Sequence, residues 1–362
     1  MDKTALVFGS TGQDGSYLCE LLVDQGYDKV VAVKRRSSTD TTGRLAGVKN
    51  DVVFAEADLT DPSSINALIS YHKPDEIYNL AAQSHVGTSF EQPAFTFQAN
   101  AVGVLNILEG IRTILPSAKF YQASTSEMFG DNFSTEMTSL VETSEGEYGT
   151  AKCYQDENTT FAPRSPYAVA KMAAHNLVHT YRESYGIHAS CGILFNHESE
   201  RRGENFVTRK ITKYVAGLVL KAHHQLGSGL CSYTTVSAQD TQPLALGNLE
   251  ARRDWGHAED YVRAMWLMLQ QEKGDDYVVA MGETRSVRDF LDSAFRYVGI
   301  VDWEPYVVID PRFYRPSDVE FLLGRPHKAM VELGWTPEVT FDQLVERMLL
   351  NDLQVSKETQ AA

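Results

Sequence analysis

Short apolar runs rich in β-branched residues alternate with longer segments of helical period over the first half of the chain. The short runs predict strands, and the segments between them predict helices because their apolar residues recur at helical spacing. Strands are predicted at residues 5–8, 30–33, 52–55, 76–80, 120–123 and 189–194, and helices at 63–71, 102–114 and 167–185. Strands that alternate with helices indicate a parallel sheet covered on both faces. We therefore predict an α/β fold with a Rossmann-type, doubly wound parallel sheet.

The regular alternation fades after residue 194, and polar and charged residues dominate at 196–205. Such loops often carry binding residues. A helix at 257–270 and a buried strand at 277–280 predict that the chain then returns to the sheet. We predict a dinucleotide-binding Rossmann domain and a smaller, mixed α/β substrate-binding lobe. The domain comprises residues 1–194 with a return segment at about 253–283, and the lobe comprises 195–252 and 284–362.

Two polar segments interrupt this pattern and predict surface insertions, at residues 131–161 and 223–242. Glycine and serine break the helical period of the second segment. His223 and His224 lie within it without a thiol or carboxylate at ligand spacing, which favours a solvated loop over a metal site. We predict no metal.

Charge and cysteine usage limit the partners and the compartment. The formal net charge is −15, whereas a sequence-independent grip on nucleic acid or on an anionic membrane depends on basic patches. The four cysteines, at positions 19, 153, 191 and 231, are far apart and indicate buried thiols rather than a disulfide framework. The N-terminus lacks a secretory pattern, and no apolar run is long enough to cross a bilayer. We predict a cytoplasmic protein without nucleic-acid or membrane partners.

A glycine-rich turn follows the first predicted strand and opens a helix, with the spacing G-x-x-G-x-x-G. Small residues at this place allow a pyrophosphate to approach backbone N–H groups and the helix N-terminus. A turn that needs glycine only for its positive φ is the alternative, and the position directly after strand one favours the dinucleotide site. The turn residues that we place at the cofactor are Gly9, Thr11, Gly12, Gln13, Asp14 and Gly15.

A basic cluster at the end of strand two indicates which dinucleotide is bound. An acidic residue at this place binds the ribose hydroxyls of NAD, whereas this chain has Lys34, Arg35 and Arg36. Guanidinium groups suit a 2′-phosphate, so we predict NADP. An ordinary solvated basic loop is the alternative. Asp58 and Leu59, after strand three, are candidates to contact the adenine.

A tyrosine and a lysine with the spacing Y-x-x-x-K, Tyr167 and Lys171, share one face of a predicted helix. A cation beside the phenol stabilises the phenolate, so the tyrosine can take a proton from a sugar hydroxyl as hydride leaves its carbon. Thr125, just beyond the predicted strand at 120–123, can hold the hydroxyl that becomes a ketone. Glu127 is a candidate second base, which elimination across C5 and C6 of a sugar requires and simple dehydrogenation does not. A solvated glutamate that caps a loop is the alternative.

With these residues in place, the chain resembles the GDP-mannose 4,6-dehydratases, an extended short-chain dehydrogenase/reductase family, over nearly its whole length. The stretches that carry the resemblance are GSTGQDGSYL, KRRSS, EIYNLAAQSHV, YQASTSEMFG, PRSPYAVAK, ILFNHES, RRGENFVTRKI, RDWGHAEDYV and YRPSDVEFLLG. The resemblance implies that GDP-mannose is converted to GDP-4-dehydro-6-deoxy-mannose and water by internal hydride transfer through bound NADP. It implies four catalytic residues, Thr125, Glu127, Tyr167 and Lys171.

The resemblance also implies binding residues and an assembly. For NADP it adds Leu80, Ala81, Ala82, Gln83, Ser84, Lys171, His197 and Arg202 to the groups named above. For the substrate it indicates Ser84, Thr125, Glu127, Tyr167, Asn196, Val207, Lys210, Arg253 and Arg315, whose cations suit a diphosphate. It implies a homo-oligomer, either a dimer or a tetramer. It leaves open whether the product feeds fucose, rhamnose or amino-sugar synthesis.

Four positions depart from the family pattern. Phe95 replaces a tyrosine at the cofactor, Gln98 and Asn100 replace acidic residues, and Glu200 replaces a proline. None of these departures falls on one of the four residues implied to be catalytic. We therefore expect them to affect ligand affinity and subunit packing rather than the reaction.

Two alternative functions remain, another nucleotide-sugar 4,6-dehydratase or 4-epimerase on the same fold, and a cofactor-binding regulator without catalysis. Glu127 argues against the epimerase, and the complete catalytic set argues against the regulator.

Overall fold

The computed structural model describes residues 3–361 except 144–145, 227–235, 315–316 and 318. Its strands are β1 Thr4–Phe8, β2 Lys29–Lys34, β3 Val52–Glu56, β4 Glu76–Asn79, β5 Lys119–Thr125, β6 Ser134–Thr143, β7 Gly146–Tyr154, β8 Ala189–Leu194, β9 Asn196–Glu198, β10 Leu244–Leu246, β11 Arg252–Arg253, β12 Trp255–His257, β13 Asp276–Val279, β14 Arg285–Ser286 and β15 Val307–Ile309. Its α-helices are α1 Gln13–Asp24, α2 Pro62–His72, α3 Val86–Glu91, α4 Pro93–Phe97, α5 Gly103–Ile114, α6 Pro166–Tyr185, α7 Val207–Leu226, α8 Ala258–Gln270, α9 Val287–Tyr297, α10 His327–Glu332 and α11 Phe341–Ala361.

Within the described residues, a seven-stranded sheet has the order β13-β8-β5-β4-β1-β2-β3. Its neighbouring strands are parallel throughout. The chain starts in the middle at β1, builds β2 and β3 on one side, and then crosses to β4 and the remaining strands on the other. The predicted doubly wound sheet is therefore confirmed, including the strand near 277–280 that returns to it. Ligands of such sheets bind outside the carboxyl ends of the strands where the order reverses, here between β1 and β4.

Helices cover both faces of this sheet, which explains the nearly continuous apolar character of its strands. On one face, α1 and α8 form a cluster with the sheet in which Met265 of α8 lies with Val7 of β1 and Tyr121 of β5. On the other face, α2, α5 and α6 enclose a second cluster that includes Phe120 and Ile107. Because both faces are buried, the register of every strand is fixed and its carboxyl end is held firmly.

A separate core forms from α7, α9 and α11, with Val219, Phe290 and Leu344 fully buried in it. Short strand pairs connect this core to the sheet domain: β10 pairs with β15, β11 with β14 and β9 with β12. Most of these elements fall in the segments predicted for the substrate lobe, whereas β12 and the end of β11 fall in the predicted return segment. The exact domain boundaries given above stay a prediction.

Two segments contain strands that the sequence did not predict. Residues 131–161, predicted as a polar insertion, contain the antiparallel hairpin of β6 and β7. Residues 196–205, predicted as loop, begin with β9, which pairs in parallel with β12. In the other predicted insertion, α7 continues to Leu226, and residues 227–235 lie outside the described part of the chain. No helix in the described ranges is long and apolar enough to cross a membrane.

The outer edge of the sheet is formed by β13, and a glutamate closes part of that edge. The Glu157 carboxylate, just after β7, accepts the Val278 backbone N–H at 2.7 Å. Burial raises the pKa of Glu157, and this hydrogen bond partly offsets the effect. The hairpin segment therefore protects backbone donors that would otherwise be open to another strand.

Candidate active site

A cavity of about 560 Å³ opens beside the carboxyl ends of β4 and β5. Its walls come from the loop after β4, the end of β5, the start of α6, strand β9 and the start of α7. Residues 245–248 and 312–314 close the opposite side. The cavity thus lies where a doubly wound sheet places its ligands, between that sheet and the predicted substrate lobe.

The glycine turn after β1 leaves room only for backbone. Gly9 has a φ of +79°, and a Cβ there would lie 2.7 Å from the Ala81 nitrogen. A Cβ on Gly15 would lie 2.2 Å from the Gly9 oxygen. Helix α1 begins directly after Gly12, which supplies no side-chain cap. Open N–H groups at a helix N-terminus beside a small-residue turn fit the pyrophosphate of a dinucleotide.

The residues predicted at the adenosine end lie beyond the cavity, around the ends of β2 and β3. Arg35 and Arg36 are exposed just after β2. Asp58 accepts both the N–H and the hydroxyl of Thr60, at 2.9 and 2.7 Å, and these bonds lower the pKa of its carboxyl. Leu59 is buried. Exposed guanidinium groups at this place can bind a phosphate without displacing an internal ion pair.

The segment after β4 contributes Leu80, Ala82 and Ser84 to the cavity wall. Asn100 fixes this segment, because its side-chain oxygen accepts the Gln83 N–H at 2.8 Å and its amide donates to the Gln83 carbonyl at 2.9 Å. An acidic residue at position 100 could accept but could not donate the second bond. The departure at Asn100 therefore supports the backbone of the predicted cofactor segment.

His197 and Asp14 form an ion pair at the cavity wall, with Nε2 and Oδ2 2.9 Å apart. Burial lowers the pKa of His197, but the Asp14 carboxylate and the hydrogen bond with the Phe195 carbonyl together outweigh it, so the net shift is upward. Burial raises the pKa of Asp14, and His197 then reduces it to about 2. Arg202 lies nearby, paired with Glu198 at 2.9 Å and stacked over the Phe206 ring. Both ion pairs lie at the cavity wall, so the positive groups of His197 and Arg202 are each balanced by a carboxylate there.

Tyr167 and Lys171 lie on consecutive turns at the start of α6, which Ser165 caps through the Ala168 N–H. Both side chains are buried and line the cavity. Burial lowers the pKa of Lys171 to about 8, and its ammonium donates to the Ala123 carbonyl at 2.9 Å. Burial raises the pKa of Tyr167, and a hydrogen bond with Thr125 opposes that shift. In this state the phenol is protonated, with its hydroxyl near Thr125.

Thr125 and Glu127 are presented by the end of β5 and the short helical turn after it. The Glu127 N–H donates to the Thr125 hydroxyl oxygen at 3.3 Å. Both residues line the same cavity as Tyr167 and Lys171. The structure thus brings together the four residues predicted to be catalytic, from one strand end and one helix.

The predicted substrate residues that the structure describes also lie at this cavity: Ser84, Asn196, Val207, Lys210 and Arg253. The Lys210 ammonium lies 4.5 Å from the centre of the Phe313 ring. Arg315 lies outside the described residues. Other wall residues were not singled out from the sequence, among them Phe206, Asn248, Trp255, Arg312 and Phe313. The irregular segments around 248 and 312 carry no periodic pattern that could have indicated them.

Three of the departures lie away from the cavity. Phe95 and Gln98 are exposed and do not line it. Glu200 lies behind the cavity wall, against α1 and the start of α8. The structure therefore separates these positions from the four residues predicted to act on the substrate.

Comparison with known proteins identifies the family. The family model described as GDP-mannose 4,6 dehydratase matches residues 6–235 and 231–348. The chain belongs to this family. The resemblance stated from the sequence motifs is thereby confirmed.

Relatives within the family are similar over almost their full lengths. A GDP-mannose 4,6-dehydratase of Vibrio cholerae is 43% identical and aligns over 99% of this chain and 95% of its own. GDP-mannose 4,6 dehydratase 2 of Arabidopsis thaliana is 46% identical and aligns over 98% of this chain and 88% of its own. A solved UDP-glucose 4-epimerase of Thermotoga maritima, with UDP-glucose, has a TM-score of 0.76 at 22% identity over 98% and 99% of the two chains. At that identity the solved structure confirms the fold alone.

A buried polar cluster lies behind the strand end that carries Thr125. Ligand atoms of His175, Cys191 and Asp276 lie within 4.8 Å of one another. Arg182 already pairs with Asp276 at 2.5 Å, and burial lowers the pKa of His175. The guanidinium supplies the positive charge that a carboxylate in this position requires.

Proposed function

We propose that this protein converts GDP-α-D-mannose to GDP-4-dehydro-6-deoxy-α-D-mannose and water. The observation that carries the proposal is the convergence of Thr125, Glu127, Tyr167 and Lys171 on one cavity. This set holds a phenol with a neighbouring cation for one proton transfer and a separate carboxylate for a second. The family to which the chain belongs supports the choice of substrate and reaction.

We propose NADP as the cofactor. The glycine turn would hold its pyrophosphate, the segment after β4 would contact it, and the exposed guanidinium groups of Arg35 and Arg36 would bind its 2′-phosphate. Bound NADP would supply the hydride acceptor for oxidation at C4 of the sugar and the hydride donor for reduction at C6. The same molecule of cofactor therefore serves both halves of each turnover.

In the first half, Tyr167 takes the proton of the mannose 4-hydroxyl, and the Thr125 hydroxyl orients that oxygen. The raised pKa of the buried phenol makes it a poor base by itself. The Lys171 ammonium, four residues along the same helix, favours the phenolate when it turns toward the phenol. The outcome is a ketone at C4.

In the second half, Glu127 takes the proton from C5, which the new ketone makes acidic. Expulsion of the 6-hydroxyl as water requires a proton, and the protonated Glu127 supplies it with help from Thr125. When C6 is reduced, C5 regains a proton, and Tyr167 supplies the one that it took from the 4-hydroxyl. Protons are thus conserved within the site over a full turnover.

The reaction is tested by incubating the purified protein with GDP-mannose and catalytic NADP⁺ and following the sugar nucleotide by mass spectrometry. We expect loss of one water per molecule without accumulation of free NADPH. An unchanged mass with folded, NADP-loaded protein would reject the proposed function. UDP-glucose serves as the matched substrate control and should stay unchanged.

The preference for NADP is tested at the end of β2. Replacing both Arg35 and Arg36 by alanine should raise the dissociation constant of NADP⁺ roughly 10–100-fold, because two charge-assisted contacts to phosphate are lost. The dissociation constant of NAD⁺ should change little. Lys34→Ala is the matched control, since that ammonium already pairs with Glu56 at 2.8 Å. An equal loss of affinity for NADP⁺ and NAD⁺ would contradict the assignment of Arg35 and Arg36 to the 2′-phosphate.

We further propose a homo-oligomer, either a dimer or a tetramer, that works in the cytoplasm. Exposed apolar side chains on α4, α5 and α6 support association: Phe95, Phe97, Ile114, Val169 and Tyr185. The buried free thiols of Cys19 and Cys191 support a reducing compartment. GDP-fucose synthesis is one use of such a product.

A further inference from the structure

Residues 197–202, here termed the clamp segment, run across the first turns of α1, the helix whose N-terminus faces the predicted pyrophosphate site. The Gln13 amide donates to the His197 carbonyl at 3.1 Å, and the Ser199 hydroxyl donates to the Gln13 side-chain oxygen at 2.8 Å. The clamp segment begins and ends at the cavity, because His197 and Arg202 line it. Residues 199–201 of the clamp segment contact α1.

Glu200 is the central contact of the clamp segment. The Tyr17 hydroxyl on α1 donates to its carboxylate at 2.9 Å, and Nε2 of His257, which caps α8, lies 3.2 Å from the same oxygen. Both partners are buried. Burial raises the pKa of Glu200, but the bonds from His257 and Tyr17 outweigh this and lower it to about 2. One carboxylate therefore joins α1 to α8.

Arg201 holds the other side of α1. Its guanidinium donates to both oxygens of Glu20 at 2.8 Å and to the Ser16 hydroxyl at 3.0 Å. It also lies 3.9 Å from the centre of the Tyr17 ring. Arg44 extends the contact toward the glycine turn, donating to the carbonyls of Arg201 at 2.9 Å and Thr11 at 3.3 Å.

The clamp segment is anchored in turn to the predicted substrate lobe. Arg209 on α7 donates to the Glu200 carbonyl and pairs with Asp352 on α11 at 2.7 Å. The Thr212 hydroxyl also donates to the Asp352 carboxylate, at 2.7 Å. The clamp segment thus connects α1 with α7 and α11 of the predicted substrate lobe.

We propose that the clamp segment retains the dinucleotide between the two halves of turnover, with Glu200 as its positioning residue. This inference rests on the proposed function, because a dehydratase that loses its cofactor after the first half cannot finish the second. A simple dehydrogenase would instead need to release its reduced cofactor each cycle. Glu200 acts through Tyr17 and α1 and does not itself line the cavity.

The test measures how fast NADPH leaves the binary complex, by stopped-flow fluorescence with excess NADP⁺ as the trap. Glu200→Ala should raise the dissociation rate about tenfold, because hydrogen bonds to a charged acceptor are lost from both helices. Glu200→Gln keeps an acceptor oxygen for the Tyr17 hydroxyl and should give an intermediate rate. With GDP-mannose present, Glu200→Ala should also release free NADPH during turnover.

Glu204→Ala is the matched control. Like Glu200→Ala, it removes one negative charge, but from an exposed side chain that pairs with Lys213 at 2.7 Å. Its NADPH dissociation rate should equal that of the wild type. A folded Glu200→Ala protein with the wild-type rate would overturn the proposal. If Glu200→Ala does not fold, the NADPH dissociation rate of Tyr17→Phe is measured instead. A wild-type rate in that variant would equally overturn the proposal. NADPH dissociation is measured without a sugar nucleotide. A wild-type protein that does not dehydrate GDP-mannose would therefore reject the proposed function, while the dissociation rates could still be compared.

Discussion

Replacing Glu127 with glutamine is expected to stop dehydration while leaving the first oxidation possible. The carboxamide has nearly the same shape but cannot take the C5 proton, and positioned general bases contribute about 10²–10⁴-fold to such steps. We therefore expect water loss to slow at least about a hundredfold. In a single-turnover experiment, nicotinamide reduction should still be visible after GDP-mannose is added.

The control for this change is Glu183→Gln, an exposed glutamate on α6 that lies away from the cavity. It should turn over like the wild type. Full dehydratase activity in Glu127→Gln would mean that another group removes the C5 proton. Loss of both half-reactions together with NADP binding would instead mean that Glu127 supports the site rather than acting as its second base.

Replacing Tyr167 with phenylalanine is expected to remove the first half-reaction as well. The ring still fills its buried place on α6, but no oxygen remains to take the 4-hydroxyl proton. The rate of nicotinamide reduction in a single turnover should fall about 10²–10⁴-fold, with NADP⁺ affinity changed little. Tyr185→Phe, on the exposed end of the same helix, is the matched control and should keep wild-type rates.

A contrary result at Tyr167 would be equally informative. Reduction at the wild-type rate in Tyr167→Phe would assign the proton transfer to another group, such as Thr125 through a water. Weak NADP⁺ binding with a normal reduction rate would place the phenol at the cofactor instead. The two outcomes separate because affinity and reduction are measured independently.

The sequence predicted the sheet to within a few residues, because strands buried on both faces leave continuous apolar runs. Predicted strands 30–33 and 120–123 became Lys29–Lys34 and Lys119–Thr125, longer only at their polar ends. The four residues predicted to be catalytic could be picked out for a related reason. Tyr167 and Lys171 share a helix face by their spacing, and Thr125 and Glu127 follow a strand end that the fold directs to the ligand.

Contacts between distant segments could not be predicted in this way. Strand β9 exists because residues 196–198 pair with 255–257, and the short polar run at 196–198 carries no apolar period. The bond between Tyr17 and Glu200 spans 183 residues of sequence, so no local spacing indicates it. Phe313 faces Lys210 from an irregular turn. Such positions are set by the packing of the two cores rather than by local preference.

The late arrival of β13 has a consequence for how this protein is made. During synthesis, β8 is complete at Leu194, but its outer neighbour begins only at Asp276. At about 5–20 residues per second, the emerging chain spends several seconds with the outer edge of β8 unpaired. Glu157, just after β7, is already synthesised by then, but its partner Val278 is not. Until β13 emerges from the ribosome, the growing polypeptide therefore has an open strand edge, and such an edge favours aggregation.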